Sequence, residues 1–326
     1  MTPPRISIIV PLYNKVNEVQ RAIDSIFAQT IQDFELIIVD GGSTDGSMEK
    51  IKPYLRDPRI IVYHQRSTGV SGARNEGIEQ TNTNLVAFLD ADDEWKPTYL
   101  EEILSLQKMY PNAGIYATSY IPTYGTETQK LNLGDIPDSW KGLLPSYFHT
   151  VVLTRMTPFF TSSVAVPRNI LFEMGLFRLN ERMGEDTDLW ARIALQYEIA
   201  YSSAALVKYH QIAGEKATQK YIPLLHHPFY RYIENLSAGD KKEIISRTDV
   251  ACYMEYEELN MAWINIIAGN KEYVRENIAN VHSKEYRRRK LMYKILLYSP
   301  SYINKYLPII KQKTLDKLRC LSAEKT

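Results

Sequence analysis

LVAFLDADDEW, residues 85–95, sets an apolar run against Asp90, Asp92 and Asp93 and closes on Trp95. A short apolar run of this kind reads as a strand for the interior of a sheet. The three carboxylates at its end repel one another unless something positive sits among them. The run belongs to a series: RISIIVP (5–11), FELIIVD (34–40) and RIIVYHQ (59–65) precede it and GIYATSY (114–120) follows. Segments of helical periodicity separate these runs, as in 17–28, where Val19, Ala22, Ile23, Ile26 and Phe27 share a face. Strands alternating with helices predict an α/β fold with a mostly parallel, Rossmann-like sheet and flanking helices. Ligands of such sheets lie beyond the carboxyl ends of the strands. Three ends here are unusual: Pro11-Leu12-Tyr13-Asn14, Asp40-Gly41-Gly42-Ser43-Thr44-Asp45-Gly46 and the acidic cluster. They are expected to converge on one crevice.

From about 121 to 160 the pattern loosens around Pro122, Gly125, Gly134, Pro137, Pro145 and Pro158, which reads as loops with short elements forming an insertion or lid. Regularity returns with SSVAVP (162–167), a helix from 167 to about 174, and MGEDTDLWARIALQ, where Asp186 opens a helix with Leu189, Trp190, Ile193 and Ala194 on its apolar face. Beyond about 218 the pattern is helical, with Gly269-Asn270 as a turn between helices. The division expected is an α/β domain over 1–215 and a helical C-terminal region over 216–326.

Composition bounds the partners. The chain has 326 residues, 44% of them apolar, enough for a sizeable core. Lys+Arg of 39 against Asp+Glu of 38 gives a formal charge of +1, which offers no argument for nucleic acid as a partner. The average hides an asymmetry, because residues 284–325 carry twelve Lys/Arg against three Asp/Glu. That segment is either the charged surface of a helical bundle or a surface for peripheral contact with anionic membrane. Cys252 and Cys320 belong to no CxxC pattern, so neither a disulfide framework nor a zinc site is indicated and a reducing compartment fits. The opening MTPPRISIIVPLYNK reads neither as a signal peptide nor as a membrane span, and the location expected is cytoplasmic, with the inner membrane face as the peripheral alternative.

The chemistry gathers at the strand ends. Crowded aspartates can be solvated loop carboxylates, but hard oxygen ligands suit Mg2+ or Mn2+, and a cation removes the like-charge penalty. In an extended segment Asp90 and Asp92 point to the same side, so one can touch a metal while the other reaches a ribose or a metal-bound water. Mg2+ held by one or two carboxylates completes its shell with substrate phosphates, which makes a nucleotide the natural co-ligand. Arg74, in STGVSGARNEGIEQ, is either an ordinary surface arginine or a contact on the phosphate or ribose side. Glu185 and Asp186 stand at a helix start, where carboxylates are favoured by the helix dipole alone. A hydroxyl nevertheless needs a carboxylate or histidine base near the reacting centre, and Asp186 is the candidate left free. His210, in LVKYHQ, reads as a packing residue or a metal ligand.

PLYN, VDGGSTDGS, GARNEGI, FLDADDEW and GEDTDLW, in this order over roughly residues 5–213, resemble the family 2 glycosyltransferases, inverting nucleotide-sugar enzymes of the GT-A fold. The resemblance implies a nucleotide-binding half over about 1–120 and an acceptor half over about 121–215. It makes Asp90-Ala91-Asp92 the DxD motif, with Asp92 on the metal and Asp90 on the ribose or a metal-bound water. Pro11, Tyr13 and Asp40 match nucleoside-pocket positions, Arg74 a nucleotide-contacting arginine, Asp186 the base of the ED motif, and His210 a histidine near the diphosphate and metal. The implied donor is a UDP-sugar, the cofactor Mn2+ or Mg2+, and the acceptor a glycan or lipid-linked hydroxyl. This chain has Asp40-Gly41 where the family commonly has two aspartates, so Asp40 serves alone or a neighbour substitutes.

Trp140, Phe159, Phe160, Met183 and Trp190 are candidate walls on the acceptor side, although aromatics near a helix are more often core and Trp190 reads first as a core residue. Haloacid-dehalogenase-type phosphatases also place DxD after an apolar strand, but on the chain's first strand and followed by Thr or Val. Nucleotidyltransferases carry a glycine-rich, basic first loop that is absent here. A non-catalytic nucleotide-sugar-binding module would not need Asp186.

Overall fold

In strand β1 (Ile6–Leu12), Ile6, Ile8, Ile9 and Val10 are all fully buried, and Leu36, Ile37, Ile38 and Val39 of β2 (Phe34–Asp40) repeat the pattern. Side chains on both faces are therefore covered, as parallel strands between helical layers require. Each such aliphatic side chain contributes about 1.5–3 kcal/mol by leaving water. The computed structural model of the chain describes residues 4–211 and 224–298, and contacts divide the chain into two units, Met1–Lys216 and Ala217–Thr326.

In the first unit β1 is followed by α1 (Val19–Phe27), β2, α2 (Ser47–Ile51), β3 (Ile60–His64), α3 (Gly69–Gln80), β4 (Leu85–Phe88), β5 (Glu94–Trp95) and α4 (Tyr99–Met109). Then come β6 (Ile115–Tyr124), β7 (Glu127–Thr128), β8 (Lys141–Leu143), α5 (Tyr147–Thr154), β9 (Val164–Pro167), α6 (Arg168–Glu173), α7 (Glu185–Gln196) and β10 (Ile199–His210). One sheet runs in the order β3-β2-β1-β4-β9-β6-β10-β5, with β7 paired to β6 and β8 to β10. Strands β1 to β4 pair in parallel, β9 runs antiparallel between β4 and β6, and β6 and β10 are again parallel. Helix α1 buries Val19, Ala22, Ile23 and Ile26, the predicted face. Helix α3 lies close against β1: a Cβ on Gly77 would stand 2.6 Å from Ile9 Cγ2, so any side chain there would displace a buried neighbour.

The stretch 121–160 does hold short elements, and its start belongs to a longer strand than the sequence predicts. Strand β6 continues through Pro122 to Tyr124, because the ladder uses the carbonyl of Pro122, which accepts from the Gln129 N–H, and not the N–H that proline lacks. Strand β8 and helix α5 add regular structure to the same stretch. Trp190 and Phe159 are fully buried, Trp190 packing against Phe88 and Phe177, so neither is an acceptor wall.

The second unit contains α8 (Pro228–Glu234), α9 (Ala238–Ser246), α10 (Thr248–Ala268), α11 (Lys271–Ala279) and α12 (Arg287–Leu297). Gly269, at φ 78°, ends α10, and the Asn270 side chain accepts from the Tyr273 N–H to start α11, as the sequence predicted. Glu258 of α10 is fully buried and holds His226 Nδ1 at 2.9 Å, with Asn277 and Asn280 donating at 3.2 and 3.1 Å. Such a network satisfies a charge that would be costly to bury alone. Of the basic C-terminal segment, residues 299–326 lie outside the described residues. Among the described residues no helix is long and apolar enough to cross a membrane.

Candidate active site

The carboxyl ends of β1, β2 and β4 do converge. The loop after β1 is fastened to the loop after β2: Asn14 N–H donates to Ser43 Oγ, Lys15 N–H to Ser47 Oγ, and Val16 N–H to Asp45 Oδ2, while Thr44 N–H donates to Asn14 Oδ1. The GGSTDGS segment thus works as a clamp on Tyr13 and Lys15. Gly46, at φ 96°, precedes α2, and Asp45 accepts from the Ser47 N–H.

The acidic segment is a turn, not an extended strand end. Strand β4 stops at Phe88, and Asp93 N–H donates to Asp90 O at 3.0 Å, so the period-two argument for Asp90 and Asp92 fails although both line the same cavity. Ser162 holds the turn: its Oγ donates to Asp93 at 2.6 Å and accepts from Asp90 N–H, and its carbonyl accepts from Trp95 Nε1. Trp95, stacked on Tyr99 at 4.3 Å and buried, anchors the loop. Asp93 is inside, also accepting from His210 N–H; burial, then Asp92 and Asp90, push its carboxyl well above the usual range.

Arg74 joins this turn to α7. From the buried face of α3 it donates to Asp90 at 2.8 and 3.1 Å and to Glu185 at 3.1 Å, with its guanidinium 5.3 Å above the Phe177 ring. Burial pulls its pKa down, but Asp90, Glu185 and Asp186 outweigh that and raise it. Asp90 is raised by burial, against Arg74 and with Asp92; Glu185 is raised by burial and Asp186, against Arg74. Both amino groups of Arg74 are thus hydrogen-bonded to carboxylates, while Arg74 also lines the cavity and its buried Nε has no hydrogen-bond partner among the described residues.

The cavity measures about 590 Å3 and is lined by Pro11, Tyr13, Lys15, Arg74, Asp90, Ala91 and Asp92 together with Gly41, Gln65 and the start of α3, a size suited to a small-molecule ligand. Two expected residues lie elsewhere. Asp40 is buried and folded back on the Ser43 N–H at 3.1 Å, outside the lining, because the chain turns sharply at Gly41 and Gly42. His210 turns its ring to Glu94, 3.1 Å away, where burial depresses its pKa against the pull of Glu94. Asp186 also stands outside the lining, but its Oδ2 accepts from Thr161 Oγ1 at 3.2 Å and its charge acts on Arg74 and Asp90. Thr161 and Ser162 together therefore tie the start of α7 to the Asp90–Asp93 turn.

A cation at this site would draw on Asp92 and Asp90, whose side chains are partly exposed. Asp92 meets Lys15 Nζ at 2.8 Å, so the spot attracts positive charge. Among the described residues no group of three or more His, Cys, Asp or Glu is placed to hold a metal. The donor set fits a hard divalent ion shared with a phosphate-bearing ligand, not a closed protein cage.

The sequence model of glycosyl transferase family 2 matches residues 7–183. The chain belongs to this family. An uncharacterized glycosyltransferase of Rickettsia bellii is 33% identical over 217 residues, 66% of this chain and 30% of that protein. An uncharacterized glycosyltransferase of Escherichia coli is 41% identical over 103 residues, 31% of this chain and 30% of its own length. The chain thus spans about a third of the length of these curated relatives. Among solved structures, S. aureus TarS 1–349 with UDP-GlcNAc aligns with TM-score 0.64 and 17% identity over 89% of each chain. A mannosyltransferase from Pyrobaculum calidifontis with GDP-Man and Mn2+ aligns with TM-score 0.59 and 17% identity over 94% of this chain and 89% of that one. The fold is GT-A, as the resemblance implied.

Sequence reasoning missed Lys15, Gln65, Thr161 and Ser162. Only Lys15 had a signal, standing directly after PLYN; the others are single polar residues whose partners lie far along the chain.

Proposed function

We propose that this family 2 domain is an inverting glycosyltransferase that moves a sugar from a UDP-sugar to an acceptor hydroxyl. The observation that carries the proposal is the linkage of the Asp90–Asp93 turn, at the mouth of a nucleotide-sized cavity, to the Glu185-Asp186 helix start through Arg74 and Thr161. The cavity holds the nucleoside between Pro11, Tyr13 and Gly41 and directs its diphosphate toward Asp90 and Asp92. Asp186, with one oxygen held by Thr161 and the other by the Thr187 N–H, takes the proton of the acceptor hydroxyl as it attacks the anomeric carbon. Attack from the face opposite the diphosphate inverts that carbon. A divalent cation, when bound by Asp92 and Asp90, supplies positive charge against the leaving diphosphate. UDP-GlcNAc in TarS and GDP-Man with Mn2+ in the mannosyltransferase support this class of donor and metal.

The test is calorimetric titration of UDP with and without Mn2+. Wild type is expected to need the metal for tight binding, and Asp92→Ala to lose at least tenfold of that affinity. Equal metal-free binding in both proteins would remove the metal role.

Helix α12 of the second unit supports a lipid-linked acceptor. Helix α12 buries Tyr293 and Leu297 but exposes Leu291, Met292, Ile295 and Tyr298 beside Arg287, Arg288 and Lys294. This is an amphipathic surface suited to anionic lipid, where each basic residue contributes about 1 kcal/mol. The full chain is expected to sediment with phosphatidylserine vesicles at low salt and not with phosphatidylcholine alone, and Ile295→Glu to reduce the bound fraction several-fold. Equal sedimentation of the variant would assign α12 to packing.

A further inference from the structure

Gly41 leaves bare backbone at the carboxyl end of β2, and its surroundings converge on the gap. A Cβ at this position would lie 2.9 Å from Gln65 Oε1 and 3.4 Å from the Tyr13 ring. The Tyr13 ring is 62% exposed and lines the cavity, as does Gln65. The neighbouring carboxylate of Asp40 is engaged by the Ser43 N–H and stands 3.8 Å from His64 Nδ1, away from the cavity lining.

Gln65 is held in a defined orientation. Its N–H continues the ladder to Asp40 O, and its Nε2 donates to the Gly69 carbonyl at 2.7 Å. The donor end of the amide is thereby engaged, and the end turned to Gly41 is Oε1, which has no hydrogen-bond partner among the described residues. The loop that carries it is fixed to α3 by Glu76, which accepts from Arg66 N–H, Ser67 N–H and Ser67 Oγ. Gly72 permits that approach, since a Cβ there would meet Ser67 Cβ at 2.9 Å.

A preset acceptor, an exposed aromatic face and a strip of backbone without a side chain make a seat for a flat ring that has an N–H on its edge. Resting on the nucleotide-sugar reading above, we infer that Gln65 reads the nucleobase: its Oε1 accepts the imide N–H of uracil while the ring stacks on Tyr13 over Gly41. Cytosine presents a lone pair where uracil presents this N–H, and two acceptors facing each other in a partly dry site disfavour binding. Guanine carries an imide N–H too, but on the ring farther from its glycosidic nitrogen.

The experiment is titration of UDP, CDP and GDP, with Mn2+, into the full chain as wild type, Gln65→Ala, Gln65→Glu and Glu76→Ala, with Tm recorded for each. Wild type is expected to bind UDP at least tenfold tighter than CDP or GDP. Gln65→Ala should weaken UDP about tenfold and leave CDP within about twofold, collapsing the preference. Gln65→Glu keeps an acceptor and should keep the preference, even if Gln65→Ala folds poorly. Glu76→Ala, which only loosens the loop, should weaken UDP and CDP alike and preserve their ratio. An unchanged UDP:CDP ratio in folded Gln65→Ala overturns the inference while leaving Asp92-dependent UDP binding, and so the nucleotide-sugar reading, intact. A wild type that prefers CDP or GDP also overturns it, and one that binds no nucleotide overturns both.

Discussion

Asp186→Asn is expected to lower turnover by about 10²–10⁴-fold while changing UDP affinity by less than about twofold. The substitution keeps the shape of the side chain. An amide oxygen can still accept from the Thr187 N–H, and Thr161 still has a polar partner, so the local hydrogen bonds at the start of α7 survive. What disappears is the ability to take a proton from an acceptor hydroxyl. Asp186 is outside the cavity lining, so the nucleotide should not register the change. The competing role is a carboxylate placed at a helix N-terminus for stability alone, which is worth about 0.3–1 kcal/mol. On that reading Asp186→Asn would lower Tm slightly and leave turnover near wild type. Turnover of purified protein with a UDP-sugar, measured beside UDP titration, separates the two, and a parallel fall in UDP affinity would make Asp186 part of the binding architecture.

The framework of the fold was legible because the strands are short apolar runs separated by amphipathic helices: β1 and β2 form on their predicted runs, and α1 buries its predicted face. The convergence of three strand ends was legible for the same reason, since it follows from parallel order. What could not be read were contacts that depend on rotamers and distant partners. Asp40 closes a conspicuous strand yet spends its carboxylate on the Ser43 N–H, and His210 turns to Glu94. Gln65 and Ser162 have no local pattern at all; their roles come from Gly41 and from the Asp90–Asp93 turn. Spacing failed for that turn because the period-two rule presumes an extended chain, and the hydrogen bond from Asp93 N–H to Asp90 O ends the extension.

Arg74→Met should destabilise the protein by about 3–5 kcal/mol, measured by urea unfolding at neutral pH. The guanidinium is almost fully buried, and the carboxylates it serves are only partly so: 27% of the Asp90 side chain and 15% of the Glu185 side chain are exposed. Removing the cation leaves Asp90, Glu185 and the nearby Asp186 to repel one another in a region that water reaches poorly. Access of solvent to Asp90 places the expected loss toward the lower end of that range. Methionine retains much of the volume against Phe177, so a cavity adds little to the effect. Arg74→Lys tests the geometry separately. A lysine ammonium is a single point charge without the planar fork that lets one arginine bind Asp90 through one nitrogen and Glu185 through the other. It should therefore recover part of the stability but not the full connection between the turn and α7. If Arg74→Met instead unfolded within about 1 kcal/mol of wild type and only weakened UDP binding, the arginine would be a direct nucleotide contact, as the family resemblance implied. The structure assigns its paired nitrogens to carboxylates from β4's end and α7's start, so stability should fall first, and UDP binding should weaken because the turn that presents Asp90 and Asp92 has lost its anchor.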